Sequence, residues 1–422
     1  MDVFARRSKM PPPAKNGPPR KQLWNHVPWN RWLTTKKGLY FSLRAYCRAA
    51  KAADAPKGGG EGAAGSGEGE GECEGDSGGG GGGDNGGGEG DNGGGEGDNG
   101  GGGGGGAPAL RSEGGGCLAL EHILPETFFA NNANADEEGD GKCELQAWMA
   151  IAAQSAPENN YWIVKPAAGS NQGDGIHIVG PRATSTGTTD AAGPANSEGT
   201  ADAERPDSAT SADVVEQVER LLYNPSEQAE RRGWTRVGHV IQRYMARPLL
   251  VAGRKFDIRV YALLVQREGE TTSVEAWVYD DYYVRTTSTP YSLDCVADSA
   301  AHLTNDAVQK HEASYGLHEA SNKLDAAQFE RAVRRDYGAT SIVPDWSRTT
   351  LLPAMRERVR LSVLAAQQAA VMAKEGRLAN SSAMWSDERE EVLGWPGVHC
   401  YELLGYDFML DENFDMRLIE VL

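Results

Sequence analysis

The stretch that decides the fold is residues 239–259, which read HVIQRYMARPLLVAGRKFDIR. Its apolar start predicts a strand, and Ala252-Gly253 supplies a turn before a second strand. On the second strand Lys255, Asp257 and Arg259 share one face, because strand side chains repeat every two residues. A cation, an anion and a cation in a row favour a phosphate-handling pocket. A solvated edge strand is the alternative.

A second stretch, residues 161–179, reads YWIVKPAAGSNQGDGIHIV and predicts a strand, a glycine-bearing loop and another strand. The first strand carries Lys165. In the loop, Gly173 and Gly175 would let backbone N–H groups approach phosphate oxygens. The loop is not a Walker loop, because no Gly-Lys-Ser/Thr follows it. An ordinary hairpin would have the same pattern.

The end of the chain, residues 401–422, reads YELLGYDFMLDENFDMRLIEVL and predicts a β-hairpin around an Asp-Glu-Asn turn. Asp407 and Glu420 lie one on each strand, among apolar neighbours. Two carboxylates that converge across a hairpin suit Mg²⁺, which commonly takes one or two carboxylates together with nucleotide phosphates. The alternative is that one of them pairs with a lysine or arginine.

Five ordered motifs in the chain resemble those of the tubulin-tyrosine ligase family, whose members are ATP-grasp ligases that modify tubulin tails. The motifs are WIVKP…GxGI, HVIQxYxxxPLL…GRKFDIR, VRT…PY, HLTN…QK and ELLGYDFMLDEN…LIEV. Looser matches lie at residues 25–28, 33–39 and 124–128. The resemblance therefore extends from about Asn25 to the C-terminus, with two insertions.

The resemblance implies an α+β fold of the ATP-grasp kind, in which two α+β lobes clamp ATP. It also implies an ATP-dependent carboxylate–amine ligase with Mg²⁺ as a cofactor. The partners would be the acidic C-terminal tail of tubulin and a free amino acid. Such a reaction requires activation, because a carboxylate is a poor electrophile, and an acyl phosphate would provide it.

Residue by residue, the resemblance implies three sets of site residues. Nucleotide would be bound by Lys37, Lys165, Gly173, Gly175, Gln242, Arg243, Tyr244, Met245, Lys255 and Asp257, with residues 242–245 as the adenine hinge. Mg²⁺ would be bound by Asp407 and Glu420. The acceptor carboxylate and the γ-phosphate would be held by Arg259, Arg285, Thr304 and Asn305. The assignment of Lys37 rests on a loose alignment, because Lys36 is adjacent.

Family members attach tyrosine, glutamate or glycine. Three segments favour addition of tyrosine to α-tubulin: the loop at residues 167–176, the sequence HVIQ at residues 239–242 and the stretch 305–316. The WIVKP and GRK segments favour a glutamylase, and a glycylase is a further alternative. An ATP-grasp ligase that acts on a small-molecule acid is a more distant one.

The last motif departs from the family. Members read Ile-Glu-Val-Asn, and the Asn completes the Mg²⁺ site, whereas this chain reads Ile419-Glu420-Val421-Leu422. We expect a truncated or mis-assembled C-terminus. The alternative is a catalytically impaired pseudoenzyme that still binds tubulin.

The composition sets the domain prediction. We expect a flexible basic N-terminus at 1–22, a disordered Gly/Glu/Asp/Asn-rich insertion at 57–116 and a low-complexity insertion at 181–212. Residues 23–56 and 117–150 would form an N-terminal lobe, and 151–422 the catalytic region. The formal net charge of −18 argues against nucleic-acid binding.

The chain shows no apolar run of transmembrane length and no signal-peptide pattern, so we expect no membrane partner. Its six cysteines show no Cys-x-x-Cys spacing, which argues against a zinc site and for reduced thiols. The expected location is the cytoplasm, at the microtubule cytoskeleton, with cilium or flagellum as an extension.

Overall fold

The computed structural model describes residues 22–24, 27, 29–54, 120–130, 140–170, 173–181, 211–234, 238–267, 274–294, 296–377 and 398–422. These residues form two mainly antiparallel sheets with helices, which is the expected α+β class. Flexible or low-complexity sequence is predicted at 1–22, 57–116 and 181–212, and of these 1–21, 57–116 and 182–210 lie outside the described residues. At the edges of these segments, Gln22 lies in a strand, and Ser211 and Ala212 lie in a helix, because regular elements begin there.

Eleven strands are described, and they fall into two sheets. In chain order they are β1 (Gln22–Trp24), β2 (Thr127–Ala130), β3 (Trp162–Pro166), β4 (His177–Val179), β5 (His239–Arg243), β6 (Leu250–Val251), β7 (Arg254–Gln266), β8 (Glu275–Thr286), β9 (Lys323–Asp325), β10 (Val398–Leu410) and β11 (Met416–Val421). The large sheet has the order β1-β10-β7-β8-β9, with β11 beside β10 and β6 beside β7, and the small sheet has the order β2-β5-β3-β4. Only the β1–β10 pair is parallel among the described strands.

The described α-helices cover the sheets. They are α1 (Arg31–Thr34), α2 (Lys36–Asp54), α3 (Asp140–Gln154), α4 (Ser211–Tyr223), α5 (Glu227–Arg232), α6 (Ser299–His302), α7 (Asp306–Gln309), α8 (Ala326–Tyr337) and α9 (Leu352–Lys374). Helix α8 begins at a capping box. The Asp325 side chain accepts from the Gln328 backbone N–H, and the Gln328 side chain accepts from the Asp325 backbone N–H. The sequence pattern predicts helices at 211–223, 325–336 and 350–374, and α4, α8 and α9 lie within two residues of these bounds.

Two apolar cores hold the sheets in place. The larger lies where alternate residues of β7, among them Phe256 and Ile258, meet α8 and α9; the Phe256 and Phe329 rings lie 4.9 Å apart. The smaller lies between the small sheet and α3 and α4, where the Trp148 and Trp162 rings meet edge to face at 5.8 Å. Burying side chains of this size contributes roughly 1.5–3 kcal/mol each.

The stretch 239–259 connects the two sheets. Its first strand, β5, belongs to the small sheet, and the next two, β6 and β7, belong to the large sheet. Along the way the Leu249 N–H donates to the Leu410 carbonyl at 2.9 Å, which ties the crossing to β10. The site residues on β5 and β7 are therefore held side by side by one short connection. No helix in the described part of the chain is long and apolar enough to span a bilayer.

Candidate active site

A buried ion cluster forms where β7 lies between β8 and β10. Arg285 Nε donates to Asp257 Oδ1 at 2.7 Å, and Arg285 also donates to Asp407 Oδ2 at 2.8 Å. Arg259 donates to the same Asp407 Oδ2 at 2.8 Å. Two carboxylates and two guanidinium groups therefore alternate on one face of the sheet. We call these four residues the ion cluster.

The strand register explains why these four residues meet. Asp257 lies opposite Arg285 on β8, and Arg259 lies opposite Asp407 on β10. Cross-strand neighbours have their Cβ atoms about 5 Å apart, so their charged ends reach each other. Gly405 leaves room for the cluster, since a Cβ there would lie 3.0 Å from the Arg259 guanidinium.

The two guanidinium groups of the ion cluster keep their charges although water is largely excluded. Burial by itself lowers the pKa of Arg285, but Asp257 and Asp407 outweigh it and raise this pKa above its ordinary value. Burial likewise lowers the pKa of Arg259, but its hydrogen bonds to Asp407 and the charge of that carboxylate raise this pKa above its ordinary value. Thr304, which follows α6, donates to Asp257 Oδ2 at 2.6 Å and fixes that carboxylate. The guanidinium groups therefore present permanent positive charge.

Two buried lysines, one from each sheet, donate to neutral oxygens. Lys165 on β3 donates to Gln242 Oε1 at 2.9 Å, and Lys255 on β7 donates to the Tyr244 hydroxyl at 2.8 Å. Burial lowers the pKa of Lys165 to about 8, and burial together with the charge of Lys165 lowers the pKa of Lys255 to about 7. An incoming polyanion would favour their charged forms, as a phosphate site requires.

The partners of these lysines are themselves held in place. Gln242 donates to Thr127 Oγ1 at 3.0 Å, and the Tyr244 hydroxyl lies 2.8 Å from His302 Nδ1. The ring of Tyr244 also lies under Lys255 Nζ, 4.2 Å from its centroid. Each ammonium group thus has a fixed position before any ligand arrives.

The two proposed metal ligands lie directly opposite each other. Asp407 on β10 pairs with Glu420 on β11, next to a register shift in the hairpin, so the predicted hairpin is confirmed. Glu420 accepts from Lys36 Nζ at 2.7 Å. Both carboxylates therefore have cationic partners, Asp407 through the ion cluster and Glu420 through Lys36.

The donor set fits Mg²⁺ as one or two carboxylates completed by phosphate oxygens. No group of three or more Asp, Glu, His or Cys side chains suited to a metal occurs among the described residues. Asp407 and Glu420 would hold the ion together with the ligand.

Lys36 was missed by the sequence reasoning, which named Lys37. Lys36 reaches Glu420 and also donates to the Ser170 carbonyl at 3.3 Å, beside the glycine loop. Lys37 Nζ instead lies 4.5 Å from the ring centroid of Phe129, and burial lowers its pKa. The pair of adjacent lysines at the start of a helix was the available signal.

The glycine loop requires glycine where it turns. Gly173 and Gly175 have φ values of +85° and +71°. A Cβ on Gly175 would lie 2.5 Å from the Trp234 ring, and one on Gly173 would lie 3.5 Å from Asn305 Oδ1. The loop therefore lies against the segment that carries Thr304 and Asn305.

The residues predicted as an adenine hinge, 242–245, lie at the end of β5 and just after it. Their side chains point to different faces. Gln242 and Tyr244 contact the buried lysines, as described above. Arg243 lies over the Trp162 ring at 3.8 Å and donates to Glu126 Oε2 at 2.6 Å. Met245 is partly buried in the crossing stretch. The structure thus brings Gln242 and Tyr244 to the lysines, while Arg243 is engaged elsewhere.

A small cleft lies between the two sheets at this point. Its polar lining comes from Lys36, Lys165, Gln242 and Glu420, together with Thr35 and Thr127, to which the sequence had assigned no role. Its apolar lining comes from Leu39, Tyr40, Leu124, Val240, Ile419 and Val421. A pocket with apolar walls and a few fixed polar groups is typical of a small-molecule site.

Comparison with known proteins shows which family the chain is similar to. The profile of the Tubulin-tyrosine ligase family matches residues 142–372, which is more than half of the chain. "Probable tubulin polyglutamylase TTLL9" of Mus musculus is 28% identical over 183 residues, which is 43% of this chain and 32% of that protein. "Tubulin glycylase 3B" of Drosophila melanogaster is 30% identical over 187 residues, which is 43% and 20% respectively.

A longer alignment exists with "Protein polyglycylase TTLL10" of Mus musculus, at 26% identity over 306 residues, 72% of this chain and 33% of that protein. The chain thus spans about a third or less of the length of these relatives. The motifs singled out in the sequence from WIVKP to HLTN lie inside the matched region. The chain belongs to the tubulin-tyrosine ligase family.

Proposed function

We propose that the chain is an ATP-dependent carboxylate–amine ligase of the ATP-grasp kind that joins an amino acid to a carboxylate in the tail of tubulin. One observation carries the proposal: two buried lysines, two guanidinium groups and three carboxylates converge where the two sheets meet. Family membership supports the same conclusion. Positioning and electrostatic stabilisation supply most of the catalysis in reactions of this type.

The chemistry requires one activation step. ATP would transfer its γ-phosphoryl group to an oxygen of the acceptor carboxylate, so ADP leaves and an acyl phosphate forms. The amine of the incoming amino acid then attacks the acyl carbon, phosphate leaves, and the amine loses a proton. The protein must hold the triphosphate, neutralise the transferring group and orient both substrates.

Each part of this task has a candidate side chain. Lys165 and Lys255 would hold the phosphates from opposite sheets, because both are fixed and both gain charge beside an anion. Asp407 and Glu420 would hold Mg²⁺, which neutralises phosphate charge when bound. Arg259 and Arg285 would bind the acceptor carboxylate, since guanidinium groups match carboxylates in a bidentate geometry.

Thr304 would orient Asp257, and Asp257 in turn holds Arg285 through its Nε. Lys36 would approach the phosphates beside Glu420. The backbone of the glycine loop would cover the phosphates from the other side. Asn305 lies against that loop and would contact it during closure.

The relatives favour glutamate or glycine as the added amino acid. Their names describe polyglutamylases and glycylases, whereas the sequence motifs alone favoured tyrosine. The preference for tyrosine is not matched by these relatives and stays a prediction. We rank glutamate first and glycine second.

The test is incorporation of labelled glutamate, glycine or tyrosine into purified tubulin, with ATP and Mg²⁺. We expect incorporation of one label with release of one ADP per bond. A Lys255→Met variant should lose this activity, whereas Lys310→Met, which removes an exposed lysine, should keep it. No ATP-dependent incorporation of any label by the native chain would contradict the proposal.

A further inference from the structure

Beyond the ion cluster, the same face of the large sheet carries an exposed group of large apolar side chains. Trp277, Tyr279 and Leu403 are 63%, 65% and 64% exposed, and Tyr261 and Leu263 are 38% and 36% exposed. We call these five residues the apolar shelf. Contiguous exposed apolar surface of this kind marks an interaction site on a soluble protein.

The strand register places four of the shelf residues side by side, and Tyr279 lies two residues after Trp277 on β8, in the irregular part of the β7–β8 pairing. Leu263 on β7 lies opposite Leu403 on β10 and also opposite Trp277 on β8, so three strands contribute to one row. Tyr261, two residues back on β7, lies opposite Gly405 and therefore belongs to the neighbouring row on the same face. The shelf is therefore one patch formed by three adjacent strands.

The shelf is continuous with the ion cluster. Tyr261 hydrogen-bonds to Tyr283 and to Arg259, and these bonds, with that to Tyr283 the larger cause, lower its pKa. The rings of Tyr261 and Tyr283 lie 6.4 Å apart. Arg259 lies two residues before Tyr261 on the same face of β7. The ion cluster and the apolar shelf are therefore directly adjacent.

The size of the shelf decides which occupant fits. From the exposed fractions, its apolar area is on the order of 500 Å², since a large aromatic side chain offers about 150–250 Å². A stable dimer needs about 800 Å² from each partner. The shelf is therefore small for a second copy of the chain and suits a short extended segment.

We propose that the shelf binds an apolar side chain of the polypeptide that is modified, about four residues from the modified acid. The spacing follows from the strand, because Arg259 and Leu263 are four residues apart and an extended ligand has the same rise of roughly 3.3 Å per residue. The inference rests on the proposed function, in which Arg259 holds the acceptor carboxylate. It adds a rule for choosing among acidic acceptors.

The test uses labelled synthetic peptides of equal charge with one target glutamate. Each peptide carries a single tryptophan two, four or six residues from that glutamate on either side, and an alanine peptide is the reference. Binding is measured by fluorescence anisotropy without ATP, and transfer by incorporation of the amino acid with ATP and Mg²⁺. We expect one four-residue spacing to lower Kd and KM roughly tenfold, as burial of one large apolar side chain would, with kcat unchanged.

The variant is Trp277→Ser combined with Leu403→Ser, and the matched control is Tyr223→Ser, which removes a similarly exposed aromatic residue from α4. Thermal unfolding checks that each variant is folded. The shelf variant should bind the best tryptophan peptide no more tightly than the alanine peptide, while its Kd for the alanine peptide stays that of the native chain. The control variant should keep the native Kd for both peptides.

Equal Kd values for all peptides, or an unchanged preference in the shelf variant, would overturn the inference. So would a native dimer that the shelf variant converts to monomer. Spacing-dependent binding without transfer of any amino acid would leave the shelf standing and reject the proposed function. Transfer without a spacing preference would support the proposed function and reject the apolar shelf as a binding surface.

Discussion

At the scale of single residues, Lys255 is a buried ammonium group with a strongly lowered pKa. Burial lowers its pKa to about 7, and the nearby charge of Lys165, whose own pKa falls to about 8, adds to the effect. In the unfolded chain both lysines titrate near 10.4. Between pH 7 and 10 the unfolded chain therefore binds more protons, so these groups make the free protein more stable as pH rises.

Nucleotide binding should show the opposite dependence on pH. A bound triphosphate raises both lysine pKa values, so above pH 7 binding takes up protons and affinity falls by up to about tenfold per pH unit for each lysine. Calorimetry of ATP binding at pH 7, 8 and 9, in buffers with different ionisation enthalpies, measures this uptake. Lys255→Met should reduce the uptake and Lys310→Met should not. Binding that releases protons would contradict the assignment.

The two proposed metal ligands should differ in what they contribute to stability. Asp407 accepts from two largely buried guanidinium groups, of which Arg285 also pairs with Asp257. Asp407→Ala therefore removes a partner from Arg259 and one of two carboxylate partners from Arg285, and it should cost about 3–5 kcal/mol of the free energy of unfolding.

Glu420 accepts from Lys36, and Lys36 also donates to the Ser170 carbonyl, so Glu420→Ala leaves one ammonium group that keeps another partner. It should cost less, about 1–3 kcal/mol.

Urea unfolding monitored by circular dichroism distinguishes these costs. Both substitutions should weaken Mg²⁺-dependent ATP binding, because both carboxylates are assigned to the ion. Equal stability costs for the two variants would show that the ion cluster does not depend on Asp407 in the way its contacts indicate.

Some residue identities could not be predicted from the sequence. Adjacent residues on a helix point about 100° apart, so Lys36 and Lys37 cannot both face the site, and their order in the chain does not say which one does. Likewise, the pattern showed that Asp407 needs a partner but not that it has two. That depends on the register of three strands.

At the scale of elements, β7 was the most predictable part of the structure. Alternation of charged and apolar residues along 254–260 fixes which residues share a face, and the structure keeps that alternation. The contact between Thr304 and Asp257 was not predictable as a hydrogen bond, because it joins residues far apart in sequence through a turn after α6. Local periodicity carries no information about such a contact.

The glycine loop yields a prediction with its own control. Gly175 and Gly169 have nearly equal φ values, +71° and +72°, so alanine costs about 1–2 kcal/mol of backbone strain at either position. Only at Gly175 does the new Cβ also meet the Trp234 ring, whereas the space at Gly169 is open. Gly175→Ala should therefore weaken ATP binding and stability more than Gly169→Ala does.

Urea unfolding and ATP titration of the two variants make this comparison. If Gly169→Ala were as damaging as Gly175→Ala, backbone conformation alone would set the requirement for glycine. The contact with Trp234 would then have no part in holding the loop.

At the scale of the whole molecule, the site exists because one stretch of chain crosses between two sheets. Residues 239–259 place Gln242 in the small sheet, beside Lys165. They place Lys255 in the large sheet, on the same strand face as Asp257 of the ion cluster. A ligand that contacts both sheets links them, and it stabilises the folded chain by about 2.7 kcal/mol when present at 100 times its Kd. The protein should therefore melt at a higher temperature with ATP and Mg²⁺.

The sharpest test of a shared site is a double-mutant cycle between the sheets. Lys165→Met and Lys255→Met each remove one ammonium group and keep an apolar side chain of similar length. If both lysines hold the same triphosphate, each variant alone should weaken ATP binding about tenfold or more. The double variant should then depart from additivity by about 0.5–3 kcal/mol, because the two charges act on one ligand and on each other. Additive losses, measured by calorimetry at one pH and ionic strength, would mean that the two sheets bind the nucleotide independently, and the single site between them would have to be abandoned.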